Sequence, residues 1–461
     1  MHGQLIMLCL TAFFILSTCN RVYVHPFNLL TYNKSECERI QSQDPSTEKI
    51  FFPTGIESKN NAEDDIKPQT NLEEGDLGAV EKYLISLIED LSFRAVAGWW
   101  KLQKTDSILI PYTDFFRTFV SFYLGASGNT SRSLQTFLGF EDPSASLNCT
   151  STVNGFKVIS KLKKIDNYLF SKDSNINTQR TVCMFVSPSV ALSETFVHGL
   201  FSTADNFYIR AVDVKDSAKA VKLINEFLAS KLQVNTKSGL TSIDGTANFM
   251  YISHVQFKGK VAKSFLLPNH QPFWTEPNKK IMVPMISVSG MFQMTEDNNA
   301  NLFIIKISLS DNDFLLLVKP INGNTLDNIE SSMKWDTYIT WVNSLPKRYT
   351  YINLSLPRLK IQQSYNLQDL LPSLYVSELL GKNADFSKMS KTNIKVGKVI
   401  NTIDFELEEG GTDPNGESNT PPENKEGVEM KLNSPFILAL CEGTTKSLLL
   451  LGRVVHPTNI I

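Results

Sequence analysis

The chain has 461 residues, a formal net charge of −2, 20% charged residues and 42% apolar ones. That is an ordinary globular balance, long enough for one large domain or two to three average ones. It offers no net field for nucleic acid or a strongly acidic partner, so those partners are not expected.

Leu5 to Leu16 is apolar, the length of a signal h-region and too short to span a bilayer. Ser17 and Cys19 are small and sit three and one positions before Asn20. The pattern predicts a signal peptide over 1–19, cut after Cys19. No later stretch is long and apolar enough for a membrane helix, so a secreted, extracellular protein without membrane insertion is expected.

Behind the leader stands "NRVYVHPFNLL", residues 20 to 30. It alternates basic, aromatic and aliphatic side chains, contains Pro26 and shows no helical period. The sequence predicts an extended segment here. Leu29 and Leu30 form an apolar pair within it.

Once Cys9 and Cys19 leave with the leader, Cys37, Cys149, Cys183 and Cys441 remain, with three full pairings open. No CxxC is present, so neither a metal site nor a redox site is expected, and no cofactor. Cys183 in "TVCMFV" and Cys441 in "FILALCEG" read as buried strand cysteines. Cys37 and Cys149 have polar surroundings that suit a secreted disulfide. Sequons occur at Asn33, Asn129, Asn148 and Asn353. The first three lie in loop-like contexts that suit glycosylation. Asn353 lies in "YINLSLP", where a strand would hide it.

Residues 30–76 read as a tail and linker, because "ESKNNAEDDIKPQTNLEEGD" (57–76) has disordered composition. A helical period then begins, with Val80, Leu84, Leu87, Ile88 and Leu91 on one face and Glu81, Lys82 and Asp90 on the other. The folded domain is placed at 77–461. Residues 301–320 predict a hairpin around Asp311, Asn312 and Asp313, and 434–457 a second one turning at 442 to 446. Ile352, Leu354 and Leu356 alternate as on a half-buried strand. The fold class is α+β, with a late exposed loop at 408–427.

Several stretches resemble the serpin superfamily. They are "YLGASGNTSRSLQTFLGF" (123–140), "ANFMYISHVQFKGKVAKSF" (247–265), "LPRLKIQQSYNLQDLL" (356–371) and "SPFILALCEGTTKSLLLLGRVVHP" (434–457). The last includes the family's terminal Gly452, Arg453, Val454, Val455 and Pro457. Val261 stands where the family usually has Trp. The resemblance implies a large central β-sheet A with sheets B and C, about nine helices and a reactive-loop region at 408–427.

Residues 20–29 resemble the angiotensin peptide hormones, with Asn20 and Asn28 standing where Asp and His are commoner. The resemblance implies a vasoactive-peptide precursor carried on a non-inhibitory serpin body in plasma. Renin would cut Leu29–Leu30. Angiotensin-converting enzyme would then remove Asn28 and Leu29. The octapeptide Asn20, Arg21, Val22, Tyr23, Val24, His25, Pro26, Phe27 would act on angiotensin receptors to regulate blood pressure and salt balance. Arg and aromatic groups supply much binding energy per residue, and Pro26 lowers the cost of ordering. Precursors of this kind tie tail to body at the positions of Cys37 and Cys149, so the resemblance implies that pairing. Leu29 lies eight residues before Cys37, which would keep the scissile bond within roughly 30 Å of the body. Oxidation of the bridge could then alter cleavage, or the bridge could be a plain tether.

The rival reading is a working protease inhibitor, whose loop inserts into the central sheet after cleavage. Here the hinge reads "EEGGTDPNGESNTPPENKEG". Pro414 lacks a ladder N–H, Asp413 and Glu417 would be buried, and Gly416 and Pro421-Pro422 oppose pairing. Insertion would cost on the order of several kcal/mol, so inhibition is not expected. An enzyme is not expected either. There is no HExxH or GxSxG, "GTTKS" (443–447) lacks the phosphate-loop glycine, and His198, His254, His270 and His456 read as structural or surface groups. Lys157, Lys161 and Lys164, with Lys163 nearby, share a face of the helix on which serpins often bind heparin. Without Arg for bidentate sulfate contacts, that face is expected to be merely solvated.

Overall fold

The computed structural model describes residues 24–42, 48–57, 76–140, 149–170, 176–232, 240–411 and 427–459. Among these the helices are α1 (Pro26–Leu30), α2 (Lys34–Ser42), α3 (Ala79–Leu102), α4 (Tyr112–Gly125), α5 (Gly128–Phe137), α6 (Gly155–Leu169), α7 (Glu194–Leu200), α8 (Ser217–Leu232), α9 (Leu326–Ser331), α10 (Trp335–Ser344) and the single turn α11 (Leu367–Leu370). Two of them, α1 and α2, precede the domain predicted at 77.

The strands in chain order are β1 (Ile50–Phe51), β2 (Ile108–Pro111), β3 (Ile176–Val186), β4 (Leu192–Ser193), β5 (Asn206–Ala211), β6 (Phe249–Val261), β7 (Ser264–Leu266), β8 (Gln271–Glu276), β9 (Lys279–Val283) and β10 (Met285–Asp297). They continue as β11 (Leu302–Ser308), β12 (Asp313–Pro320), β13 (Thr350–Pro357), β14 (Leu359–Asn366), β15 (Val396–Glu409), β16 (Val428–Lys431), β17 (Phe436–Glu442), β18 (Leu448–Val454) and β19 (Thr458–Asn459).

The continuous apolar runs become strands covered on both faces. Every residue of β17 and of β18 is buried, as unbroken Leu, Ile and Val runs require. Both hairpins form where expected, β11 with β12 and β17 with β18. The strands make two main sheets. One has six strands in the order β19-β14-β15-β6-β3-β5. The other has nine, in the order β16-β13-β10-β11-β12-β17-β18-β2, with β7 also on β10. The expected sheets B and C are both here, β11-β12-β17-β18-β2 on one side and β13-β16 on the other. The long strand β10 pairs β13 along Met285–Phe292 and β11 along Gln293–Asp297, and so joins them.

In the six-stranded sheet β15 lies directly against β6, parallel, from Val399 opposite Tyr251 to Glu409 opposite Val261. No strand stands between them. Glu408 and Glu409, assigned to the loop by sequence, are therefore the last residues of β15. Both ion-pair with Arg358. Residues 412–426, with Asp413, Pro414, Gly416, Glu417, Pro421 and Pro422, lie outside the described residues.

Helix α4 is buried along its whole length behind the sheet. Its Asp114 pairs with Arg180 of β3 at 2.9 Å, and its Arg117 with Asp166 of α6. Asp166 also takes Arg180 at 3.0 Å. Burial alone would raise the Asp166 carboxyl, but the two guanidiniums outweigh it and hold it below the usual range. This network fixes α6, the helix that carries the basic face, against the sheet.

Helix α3 follows the predicted period with one correction. Glu81, expected on the solvent face, is 3% exposed. Its carboxylate caps α3 by accepting from the Gly78 N–H at 3.0 Å and ion-pairs with Lys161 at 3.0 Å. No helix among the described residues is long and apolar enough to cross a membrane. No cluster of His, Cys, Asp or Glu among them could hold a metal ion.

Candidate functional site: the docked N-terminal segment

The segment expected to be extended is helical. His25 caps α1 by accepting from the Phe27 N–H at 3.3 Å through Nδ1. Pro26 occupies the first turn, where its fixed φ helps and its missing N–H costs nothing. Asn28 N–H donates to the His25 carbonyl at 3.0 Å. The helix ends at Thr31, which is extended, and whose Oγ1 donates to the Asn28 carbonyl at 2.9 Å.

A five-residue helix does not persist in water by itself. What holds this one is burial. Phe27 and Leu30, three positions apart and so on one face, are 4% and 0% exposed and belong to the main hydrophobic core. They pack against α3 and α6. The His25 ring stands edge-on to Tyr83 of α3, with centroids 5.4 Å apart. Burying a side chain of this size contributes about 1.5–3 kcal/mol, while ordering the backbone opposes it. Leu29 points outward and is 52% exposed. The Leu29–Leu30 peptide bond thus has one side chain in solvent and the other in the core.

Beyond α1 the chain pairs with the loop before α6. Asn154 N–H donates to the Leu30 carbonyl at 2.8 Å, and Tyr32 N–H to the Thr152 carbonyl at 3.2 Å. Thr31 and Val153 form an antiparallel bridge. Lys157 Nζ donates to the Thr31 carbonyl at 2.8 Å and pairs with Glu36 Oε2 at 3.0 Å. Asn33 and Glu36 form a reciprocal cap of α2: Glu36 N–H donates to Asn33 Oδ1 at 2.8 Å, and Asn33 N–H to Glu36 Oε2 at 2.7 Å. The Asn33 N–H, then Lys157, hold the Glu36 carboxyl below its usual range. Burial and then Glu36 raise the Tyr32 phenol.

Cys37 of α2 is disulfide-bonded to Cys149 across 112 positions of sequence. Cys183 and Cys441 are buried free thiols, pushed up to about 12 by burial. Residues 48–57 make a second attachment. There β1 pairs with β4, and Gly55 bridges to Ala211 of β5.

The basic face of α6 is therefore not the solvated face expected. Lys157 holds the tail, and Lys161 and Lys164 reach Glu81 of α3 at 3.0 and 3.8 Å. Asn20, Arg21, Val22 and Tyr23 lie outside the described residues. Val24 is exposed, and so are Asn28, Asn33 and Asn129. Asn148 lies outside the described residues. The Asn353 amide accepts from Ser289 Oγ at 2.7 Å and donates to Glu429 Oε1 at 2.8 Å, so both its ends are engaged. The sequence reading missed Tyr83, Asn154, Glu36 and the role of Lys157. One signal was present: Asn33-Lys34-Ser35-Glu36 has the spacing of a capping box.

This fold carries a peptide arm tucked into its own core. The chain matches the model of the serpin (serine protease inhibitor) family over residues 88–457, and it belongs to that family. Among its relatives are angiotensinogens. That of Bos taurus is 33% identical over 98% of this chain and 97% of its own; that of Homo sapiens is 30% identical over the same shares. Corticosteroid-binding globulin of Bos taurus is 25% identical over 73% of this chain and 81% of its own. The solved structure of human thyroxine-binding globulin superposes with a TM-score of 0.68 at 18% identity, covering 82% of this chain and all of that one.

Proposed function

We propose that this chain is a secreted, glycosylated precursor of an angiotensin-type peptide, carried by a serpin body that does not inhibit proteases. Renin cuts Leu29–Leu30 and releases residues 20–29. A dipeptidyl carboxypeptidase of the angiotensin-converting type then removes Asn28 and Leu29. The octapeptide ending at Phe27 acts on angiotensin receptors, with Arg21, Tyr23, His25 and Phe27 as its main contacts. The precursor itself resides in plasma.

One observation carries this reading: the relationship to angiotensinogens runs through 98% of the chain and so is not confined to the serpin body. The chemistry of the docked segment is consistent with it. An aspartic protease needs its substrate extended, so α1 must unwind and Leu30 must leave the core before the bond is cut. The body then sets how often the bond is presented.

The test is pharmacological. Synthetic octapeptide 20–27 should activate an angiotensin receptor, and its Phe27→Ala form should lose most of that activity. Equal potency of the two, or no response to either, contradicts the assignment.

A further inference from the structure

We propose that Lys157 is a positioning residue that sets protease access to the Leu29–Leu30 bond. It does so by clasping the backbone just after that bond to the serpin body. The inference rests on the cleavage reading above and adds which residue regulates it.

Lys157 lies at the start of α6 and makes two contacts with the tail. One is to the carbonyl of Thr31, two residues beyond Leu29, at 2.8 Å. The other is to the Glu36 carboxylate at 3.0 Å. Glu36 in turn belongs to the reciprocal cap that orders α2. A single ammonium therefore links the segment next to the bond, the helix behind it and the body. The stem is half-buried, with the Lys157 and Glu36 side chains 33% and 26% exposed. Loss of the pair is therefore felt more than loss of a fully solvated one.

Its neighbours do different work. Lys161 and Lys164 face Glu81 within the body, so removing either leaves the tail contacts intact. The disulfide at Cys37 limits how far the tail travels but makes no bond to residues 29–32. The Lys157 contact to Thr31 has to break for that backbone to lie in a protease cleft. A docked fraction that cannot be cut lowers apparent affinity in proportion to the competent fraction. Where exchange is fast, the clasp appears in KM and leaves kcat unchanged.

The experiment is renin kinetics on the oxidised full-length secreted protein and its variants, with a synthetic peptide of residues 20–33 as control substrate. Lys157→Met keeps the apolar stem and removes the donor. Glu36→Gln removes the charge and keeps the cap, since Gln serves at that position as well as Glu. Each should lower KM on the intact protein by about fivefold, the effect of losing ~1 kcal/mol of docking. The double variant should be little faster than either single one, and Lys157→Arg should restore much of the wild-type KM. Lys161→Met, a control on the same face, should match wild type. Renin that cuts both peptide and protein, with an unchanged or raised KM for Lys157→Met, overturns the clasp. Failure to cut the peptide at Leu29–Leu30 overturns the cleavage reading instead.

Discussion

The carbonyl of Leu30 accepts a hydrogen bond from the backbone N–H of Asn154 at 2.8 Å while the Leu30 side chain is fully buried. Main chain and side chain of this residue are thus both committed to the body. Any protease that takes Leu29 and Leu30 into one cleft must first undo both contacts.

Docking is local, so its loss should be local. Phe27→Ala removes a ring that is 4% exposed, a change that costs about 3–5 kcal/mol where the surroundings cannot relax. Here α1 can detach instead. We expect the amides of residues 28–32 to lose hydrogen-exchange protection while the main melting temperature falls by only a few degrees. A large fall in Tm with those amides still protected would show that α1 is integral to the core.

The bridge should act on the same equilibrium. In a Cys37→Ser, Cys149→Ser double variant, α2 loses its covalent hold on the body and the tail gains freedom. A loop of this size is worth about 4–5 kcal/mol at most in chain-entropy estimates, and part of that orders a tail the core does not need. We expect faster renin cleavage than in the oxidised wild type, with a smaller loss of stability than that ceiling. Identical kcat/KM values would reduce the bridge to a plain tether.

Much of the body could be read from the sequence, and the docked segment could not. The strands β11, β12, β17 and β18 were legible because unbroken apolar runs leave a strand buried on both faces as the simplest solution. The alternation of Ile352, Leu354 and Leu356 fixed which face of β13 is inward. Helix α1 was missed because five residues are too few to show a period. Its stability comes from partners far along the chain, such as Tyr83 and Asn154. Glu81 was misplaced for the same kind of reason. The helical period put it outward, but lysines on α6 cover it. Local pattern reports local structure, and the tail is held by tertiary contacts.

Glu89 of α3 gives a pH test of the body. Burial pushes its carboxyl up to about 8, only partly opposed by the Leu448 backbone N–H. In the unfolded chain a Glu titrates near ~4.3. The folded state therefore keeps a proton that the unfolded state releases. Its contribution to stability is complete below the unfolded value and is lost as pH rises through about 8. Glu89→Gln should be more stable than wild type at pH 8 by on the order of 2–4 kcal/mol, and no more stable at pH 4. Comparing the two proteins cancels the opposite trend of His254, which burial pushes down to about 4. A difference that does not change between pH 4 and pH 8 would mean that Glu89 is ionised in the fold.

Loop cleavage should not stabilise the body. Strands β15 and β6 are already paired to Glu409 and Val261, and a loop entering between them would have to bury Asp413 and place Pro414 in a central ladder. After nicking within 412–426, calorimetry should show an unchanged melting temperature. A rise of tens of degrees would mean that the loop inserts, as in an inhibitor.

Glycan mapping tests the surface assignment. Asn33 and Asn129 are exposed, and tryptic glycopeptides should carry sugar at both. Asn353, bonded to Ser289 and Glu429 between neighbouring strands, should be bare. A glycan on Asn353 in the folded protein would contradict the β10-β13-β16 arrangement.

The central claim is that this serpin is the substrate of a hormone-releasing cut. Its most direct test is mass spectrometry, after digestion with renin, of protein recovered from the medium of expressing cells. The account predicts one released peptide, residues 20–29, and a body whose new N-terminus is Leu30. No release of that peptide, or cleavage only within 412–426, would contradict it.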